Sequence, residues 1–202
     1  MVASVFTLSA LSFGTLGSVS VFLKPLVLEF GWTRAEASLG YTVISFSSAI
    51  FGILWGQLAD RYGSRYFGFM ASVAMSACLI LLSEQSSLIQ FYSLYFVFGA
   101  LGNAMLGAPL YANVGYWFKQ NPGLALGITA AGGAFGQGVV PMGAALLIEN
   151  YGWQSAYLIL GVSYFLIGFP LAFLIKEPPA RRNLETQETT MDDHFPLRER
   201  ET

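Results

Sequence analysis

The sequence predicts an all-α membrane protein of six transmembrane helices, and three observations carry that prediction. Of 202 residues, 54% are hydrophobic and only 11% are charged, where a soluble domain carries roughly 25% charge. The charges are clustered. They leave uncharged runs over Met1–Leu23, Ala37–Ala59, Tyr66–Ser83, Gln85–Phe118, Gln120–Ile148 and Asn150–Ile175. Each run holds 18 residues or more, enough for an apolar helix to cross the hydrocarbon core of a bilayer. A globule so poor in charge could not cover its own surface. Soluble enzymes, nucleic-acid binders and disordered scaffolds are therefore excluded as readings of the whole chain.

Each span has its own start and stop. The first, over residues 2–23, ends at Lys24-Pro25; it lacks a basic leader and is too long for a signal-peptide core, so it reads as a retained span. The second, over 37–58, opens at Thr33-Arg34-Ala35-Glu36. Thr33 caps the helix, and Glu36 reaches back to the cap amide. It stops at the charged cluster Asp60-Arg61-Tyr62-Gly63-Ser64-Arg65. The third span covers 66–83 and ends at Glu84. A second capping box, Ser87 to Gln90, starts the fourth, over 91–116; its uncharged run of 34 residues exceeds one crossing, so this helix is tilted or extends into the interface. Lys119 to Gly123 form the next turn. Span five covers 124–147 and ends at Glu149-Asn150-Tyr151-Gly152-Trp153, and span six covers 155–175. The remainder, 176–202, is polar, holds the only histidine (His194), and reads as a disordered cytoplasmic tail.

Short loops make neighbouring helices antiparallel. Placing the N-terminus inside puts Arg61, Arg65, Lys119, Lys176, Arg181 and Arg182 on the cytoplasmic side, against Lys24 and Arg34 outside. Basic residues favour the cytoplasm, so both termini are expected there, in a multi-pass integral membrane protein. The single cysteine, Cys78, lies inside a span. It supports neither a disulfide nor a metal-ligand pair, and no cofactor or metal is expected.

No Asp, Glu, Lys, Arg or His lies deep in any span. Such residues are the usual marks of proton relays and charged-substrate sites, and an intramembrane enzyme would need a catalytic constellation that is missing here. Polar residues near mid-span are uncharged: Thr15, Ser45, Ser47, Ser48, Asn103 and Gln137. They either bond between helices or line a polar cavity. Gly132 and Gly136 form a Gly-x-x-x-Gly face for close helix packing, while Pro109 and Pro141 are expected to bend their helices.

The segment Gly56-Gln57-Leu58-Ala59-Asp60-Arg61-Tyr62-Gly63-Ser64-Arg65 resembles the loop between helices two and three of the major facilitator superfamily. Gly56, Leu58, Asp60, Arg61, Gly63 and Arg65 match, and Ser64 stands where a basic residue is usual. Further stretches are similar to the monocarboxylate and oxalate/formate transporter branch: Leu23-Lys24-Pro25-Leu26, Phe30 to Ala35, Tyr116 to Lys119, Gly123 to Gly127 with Ala131-Gly132, and Tyr151 to Gln154. Gln120-Asn121 and Gln154 depart from that branch's basic residues.

The resemblance covers residues 1 to about 180 and implies the N-terminal half of a twelve-helix transporter, built as two inverted three-helix repeats. It implies secondary transport of a small organic anion, monocarboxylate-like, by alternating access. Gly56, Asp60, Arg61, Gly63 and Arg65 would form a conformational latch against the missing C-terminal half; the alternative is a positive-inside anchor at a helix end. Helices one, two, four and five would line the pathway, which makes Thr15, Ser45, Asn103 and Gln137 the cavity candidates. Lys24 would stand at the outer mouth, or snorkel to the interface beside Pro25. Two other readings stay open: a homodimeric half-transporter, with a second copy as the other half, and a truncated membrane interaction subunit that transports nothing. The lipid bilayer is the expected surroundings, and no nucleic acid is expected.

Overall fold

A computed structural model describes residues 2–118 and 121–175. Lys119, Gln120 and the tail 176–202, on which the expectation of disorder falls, lie outside the described residues. The described chain forms five helices: α1 (Val2–Phe30), α2 (Arg34–Tyr62), α3 (Ser64–Leu82), α4 (Leu88–Trp117) and α5 (Pro122–Phe173). All five are long and apolar enough to cross a membrane.

Five helices stand where six spans were expected, because the fifth folds back on itself. At 1.5 Å per residue, the 52 residues of α5 would stretch for about 78 Å, more than twice the bilayer core. The break is at Gly152, with φ 81° and ψ 166°, a region open essentially to glycine alone. Contacts on either side of it show the reversal. In the first limb, residues 122–151, Gly132 lies against Phe6 of α1, Gly136 against Ala10, Val140 against Gly14 and Pro141 against Gly17, so the two run parallel. In the second limb, residues 153–173, Trp153 meets Phe30 and Tyr157 stacks on Phe22 at 3.8 Å. That limb runs back down α1. It also descends α3, pairing Gly161 with Ile80 and Gly168 with Ser72.

The remaining directions follow the same alternation. Tyr92 bonds the Glu36 carbonyl and Asn103 bonds Ser48, so α4 runs parallel to α2. Six crossings therefore alternate in sense. The first three and the last three run opposite to one another, which is the geometry of an inverted pair of three-helix units.

Helix ends depart from the sequence reading in several places: α2 runs through the charged cluster to Tyr62, and the first limb of α5 stays helical up to the break at Gly152. Lys24-Pro25 does not stop α1, which continues to Phe30. A proline inside a helix costs about 3 kcal/mol, but the extra turns bury Leu26 and stack Phe30 on Trp32 at 4.7 Å. A fully buried Leu returns about 1.5–3 kcal/mol and a stacked aromatic pair about 0.5–1.5 kcal/mol more, so the extension holds. At the start of α4, Ser87 accepts from the Gln90 amide at 3.3 Å, while the Gln90 side chain reaches the Ser86 amide rather than that of Ser87. The Thr33–Glu36 box forms in both directions, at 2.8 and 3.2 Å.

Aromatic rings fill the end of the bundle where α1 meets α2. Phe30, Trp32, Phe91, Trp153 and Tyr157 form a continuous packed set, and the hydroxyls of Tyr95 and Tyr157 share a buried hydrogen bond of 2.8 Å. Along α1 and the first limb of α5 the backbones approach directly. A Cβ on Gly136 would overlap the Ala10 carbonyl, and one on Gly132 would sit 2.5 Å from the Phe6 carbonyl oxygen.

Candidate functional site

The polar groups of the membrane interior converge where α1, α2 and α4 meet. Ser12 of α1 donates to Asn103 Oδ1 at 2.7 Å, and Asn103 Nδ2 donates to Ser48 Oγ of α2 at 3.1 Å. Ser48 in turn donates to the Gly99 carbonyl at 3.1 Å. One turn before Ser12, the Ser9 and Tyr111 hydroxyls lie 3.0 Å apart. Ser12, Asn103 and Ser48 thus tie three helices by one chain of neutral hydrogen bonds, and the Ser9–Tyr111 pair is a separate bond between α1 and α4. Asn103, Ser48 and Tyr111 are half-buried, whereas Ser9 and Ser12 are buried. The first limb of α5 closes one side, with Gly133 against Phe13 and the Ser9 hydroxyl.

Asn103 occupies this point because α4 is not α-helical around it. Residues Phe98–Asn103 form a π-turn, a wide turn that recurs at functional sites. The backbone can come this close to α2 because position 99 is glycine; a Cβ there would overlap the Ser47 hydroxyl. On the opposite face, Gly102 admits Met75 of α3.

The four cavity candidates separate. Asn103 is the hub of the network. Ser45 is half-buried, one turn before Ser48 on α2, where residues i and i+3 are neighbours. Gln137 is exposed on α5 beside Gly17 of α1. Thr15 turns away: its hydroxyl donates to the Leu11 carbonyl at 2.8 Å, and it borders a void of only 10 Å³ among Val19, Phe22, Ile44, Leu79, Tyr95, Phe98 and Tyr157. Such a void has barely room for one water. Ser9, Ser12 and Tyr111 are members that the sequence reading did not single out; the three-residue spacing of the two serines on an apolar helix was the available signal.

Two open grooves, of 370 and 360 Å³, flank α3. The first is lined by Phe69, Met70, Val73, Ala74, Leu101 and Met105. The second holds one polar side chain, Ser76, whose hydroxyl is committed to the Gly161 carbonyl at 2.8 Å. Neither offers a ligand anything to bond, and lipid chains suit both.

At the α2–α3 junction, Gly63 alone makes the turn, with φ 91° and ψ 148°, and its amide closes on the Ala59 carbonyl at 3.0 Å. The Arg65 guanidinium lies over the rings of Phe69, at 5.9 Å, and Phe173, at 5.7 Å, so it ties the start of α3 to the end of α5. Arg61 is exposed and Gly56 is half-buried; the Asp60 side chain lies outside the described residues. Lys24 is exposed on α1, among the turns added beyond residue 23.

An alternating bundle of apolar helices, with a neutral polar network inside it and no strand among the described residues, is the architecture of a multi-pass membrane protein. The family model of the Major Facilitator Superfamily matches residues 5–201, and the chain belongs to that superfamily of transporters. It is 29% identical over 156 residues to the riboflavin transporter RibJ of Trypanosoma brucei brucei, covering 75% of this chain and 28% of that protein. It is 29% identical over 165 residues to monocarboxylate transporter 12-B of Danio rerio, covering 80% of this chain and 34% of the relative. Its identity to the multidrug resistance protein MdtG of Escherichia coli is 29% over 170 residues, covering 79% and 40%. The chain spans between about a quarter and two fifths of the length of these curated relatives.

Proposed function

We propose that this chain is the N-terminal bundle of a secondary transporter for small organic anions of the monocarboxylate type, working by alternating access. The single observation that carries this is the Ser12–Asn103–Ser48 network. Hydrogen bonds between helices stabilise a membrane bundle by only about 0.6 kcal/mol each, so packing alone gives little reason to gather five polar side chains here. Their inventory suits an anion. Asn103 Nδ2 carries two hydrogens and gives one to Ser48; the Ser9–Tyr111 pair holds two hydroxyl hydrogens and shares one between them. One donor is left at Asn103 and one at the Ser9–Tyr111 pair, ready for substrate oxygens. The bundle supplies no charge at this depth, so the counter-charge comes from the other half of the carrier, a C-terminal bundle or a second copy. Both termini lie on the cytoplasmic side in this reading, which rests on the six basic residues assigned there against two. The chain works as a carrier and not as an enzyme.

The test is uptake of a labelled short-chain monocarboxylate into vesicles of the native membrane, for the wild type and for Asn103→Leu. A hydrogen bond to a charged group contributes about 1.5–3 kcal/mol, so uptake at low substrate should fall by roughly tenfold or more. Unchanged uptake in the variant would remove the site, and no uptake of any monocarboxylate by the wild type would remove the substrate class.

A further inference from the structure

We propose that Trp55 is a positioning residue: its indole N–H holds the π-turn of α4 open and so sets which way Asn103 and Tyr111 face. That they face a substrate rests on the reading above; that Trp55 sets their register does not. In an α-helix the amide of Ala104 would bond the carbonyl four residues back, at Ala100. Here it bonds Gly99 instead, five residues back. The Ala100 carbonyl, passed over by that amide, receives the Trp55 Nε1–H from α2 at 2.6 Å. The Gly99 carbonyl receives the Ser48 hydroxyl as well as the Ala104 amide. Both carbonyls at the centre of the wide turn are therefore held by side chains of α2, seven residues apart on one face. The indole itself is fixed between Phe51 at 6.3 Å and Phe67 at 6.0 Å.

The wide turn takes up one residue more than an α-helical turn. Closing it with the sequence unchanged would rotate everything downstream by about 100°, one residue's share of an α-helical turn. Asn103 and Tyr111 would then leave Ser12, Ser48 and Ser9. Trp55 does not belong to the hydrogen-bond network itself, but the network depends on the turn that it holds.

Hydrogen exchange on the purified chain in lipid nanodiscs tests this, with Trp55→Phe keeping an aromatic ring and losing the donor. Exchange of the amides in 98–104 should rise by roughly tenfold, given the usual net strength of one hydrogen bond, and the side-chain amide resonance of Asn103 should shift. Amides of α2, and of α4 before residue 98, should keep their wild-type rates. Unchanged exchange in 98–104 would overturn the proposal, and so would a uniform loosening of the whole bundle, which would make Trp55 a packing residue only. A second variant separates register from packing. Deleting Leu101 lets the turn close as α-helix while Asn103 and Tyr111 keep their faces, so in that background Trp55→Phe should leave the Asn103 resonance unmoved; a shift there as large as in the undeleted chain would contradict the register argument. Should the deletion variant fail to fold, the exchange result on Trp55→Phe decides by itself. Failure of the substrate reading shows separately, as unchanged uptake in Asn103→Leu.

Discussion

At the scale of single residues, Gly63 makes the sharpest demand. Gly63 joins two helices with no intervening loop, at dihedrals that L side chains avoid. Gly63→Ala should lower stability by about 1–3 kcal/mol, read as a fall in melting temperature in detergent. Asp60→Asn should reduce uptake while membrane insertion, followed by fractionation, stays intact, because the latch reading gives that charge a partner in the other half. The Gly63 turn was legible from the motif around it. The fate of Arg65 was not: its contact with Phe173 joins residues over a hundred positions apart, and no local pattern reports such a pairing. Thr15 shows the same gap. From sequence it is one more hydroxyl at mid-span; in three dimensions a threonine facing its own helix satisfies itself on the carbonyl four residues back.

At the scale of elements, the seam between α1 and the first limb of α5 depends on having no side chain at three places, Gly14, Gly132 and Gly136. Gly136→Val should force the two backbones apart, since even a Cβ there meets the Ala10 carbonyl. The expected outcome is loss of the monodisperse peak in size-exclusion chromatography, with Gly138→Val, where a Cβ meets nothing within 4 Å, as the tolerated control. The glycine face was readable from its four-residue spacing, which is a helix-surface property. The π-turn was not, although the uncharged run of 34 residues was longer than one crossing needs. Extra length does not say whether a helix tilts, overhangs or widens, and that choice is made by Gly99, Gly102 and the α2 side chains opposite them. The reversal inside α5 falls at Gly152, the one residue there with non-helical dihedrals, and not at a proline. Proline removes a donor, but the left-handed turn that reverses a chain needs the missing Cβ.

At the scale of the whole molecule, hydropathy alone was enough for an apolar bundle with alternating crossings, because every backbone group in lipid must be bonded within its own helix. What hydropathy could not say is which helix faces turn to lipid and which turn inward. Orientation is open to direct measurement. With Cys78, which is buried, replaced by alanine, single cysteines at Glu84 and Glu149 should react with an impermeant thiol reagent added outside intact cells. One at Tyr66 should react only after permeabilisation, and the opposite pattern would reverse the topology. The account's central proposal is that the polar network of α1, α2 and α4 faces the substrate pathway. Substrate protection tests it most directly: Ser45→Cys and Gln137→Cys, in the same Cys78→Ala background, labelled with and without a short-chain monocarboxylate. The account predicts that both positions react from water, despite their depth in the membrane, and that substrate slows the reaction at Ser45. Two cysteines silent to aqueous reagent, or labelled at the same rate with and without substrate, would contradict it.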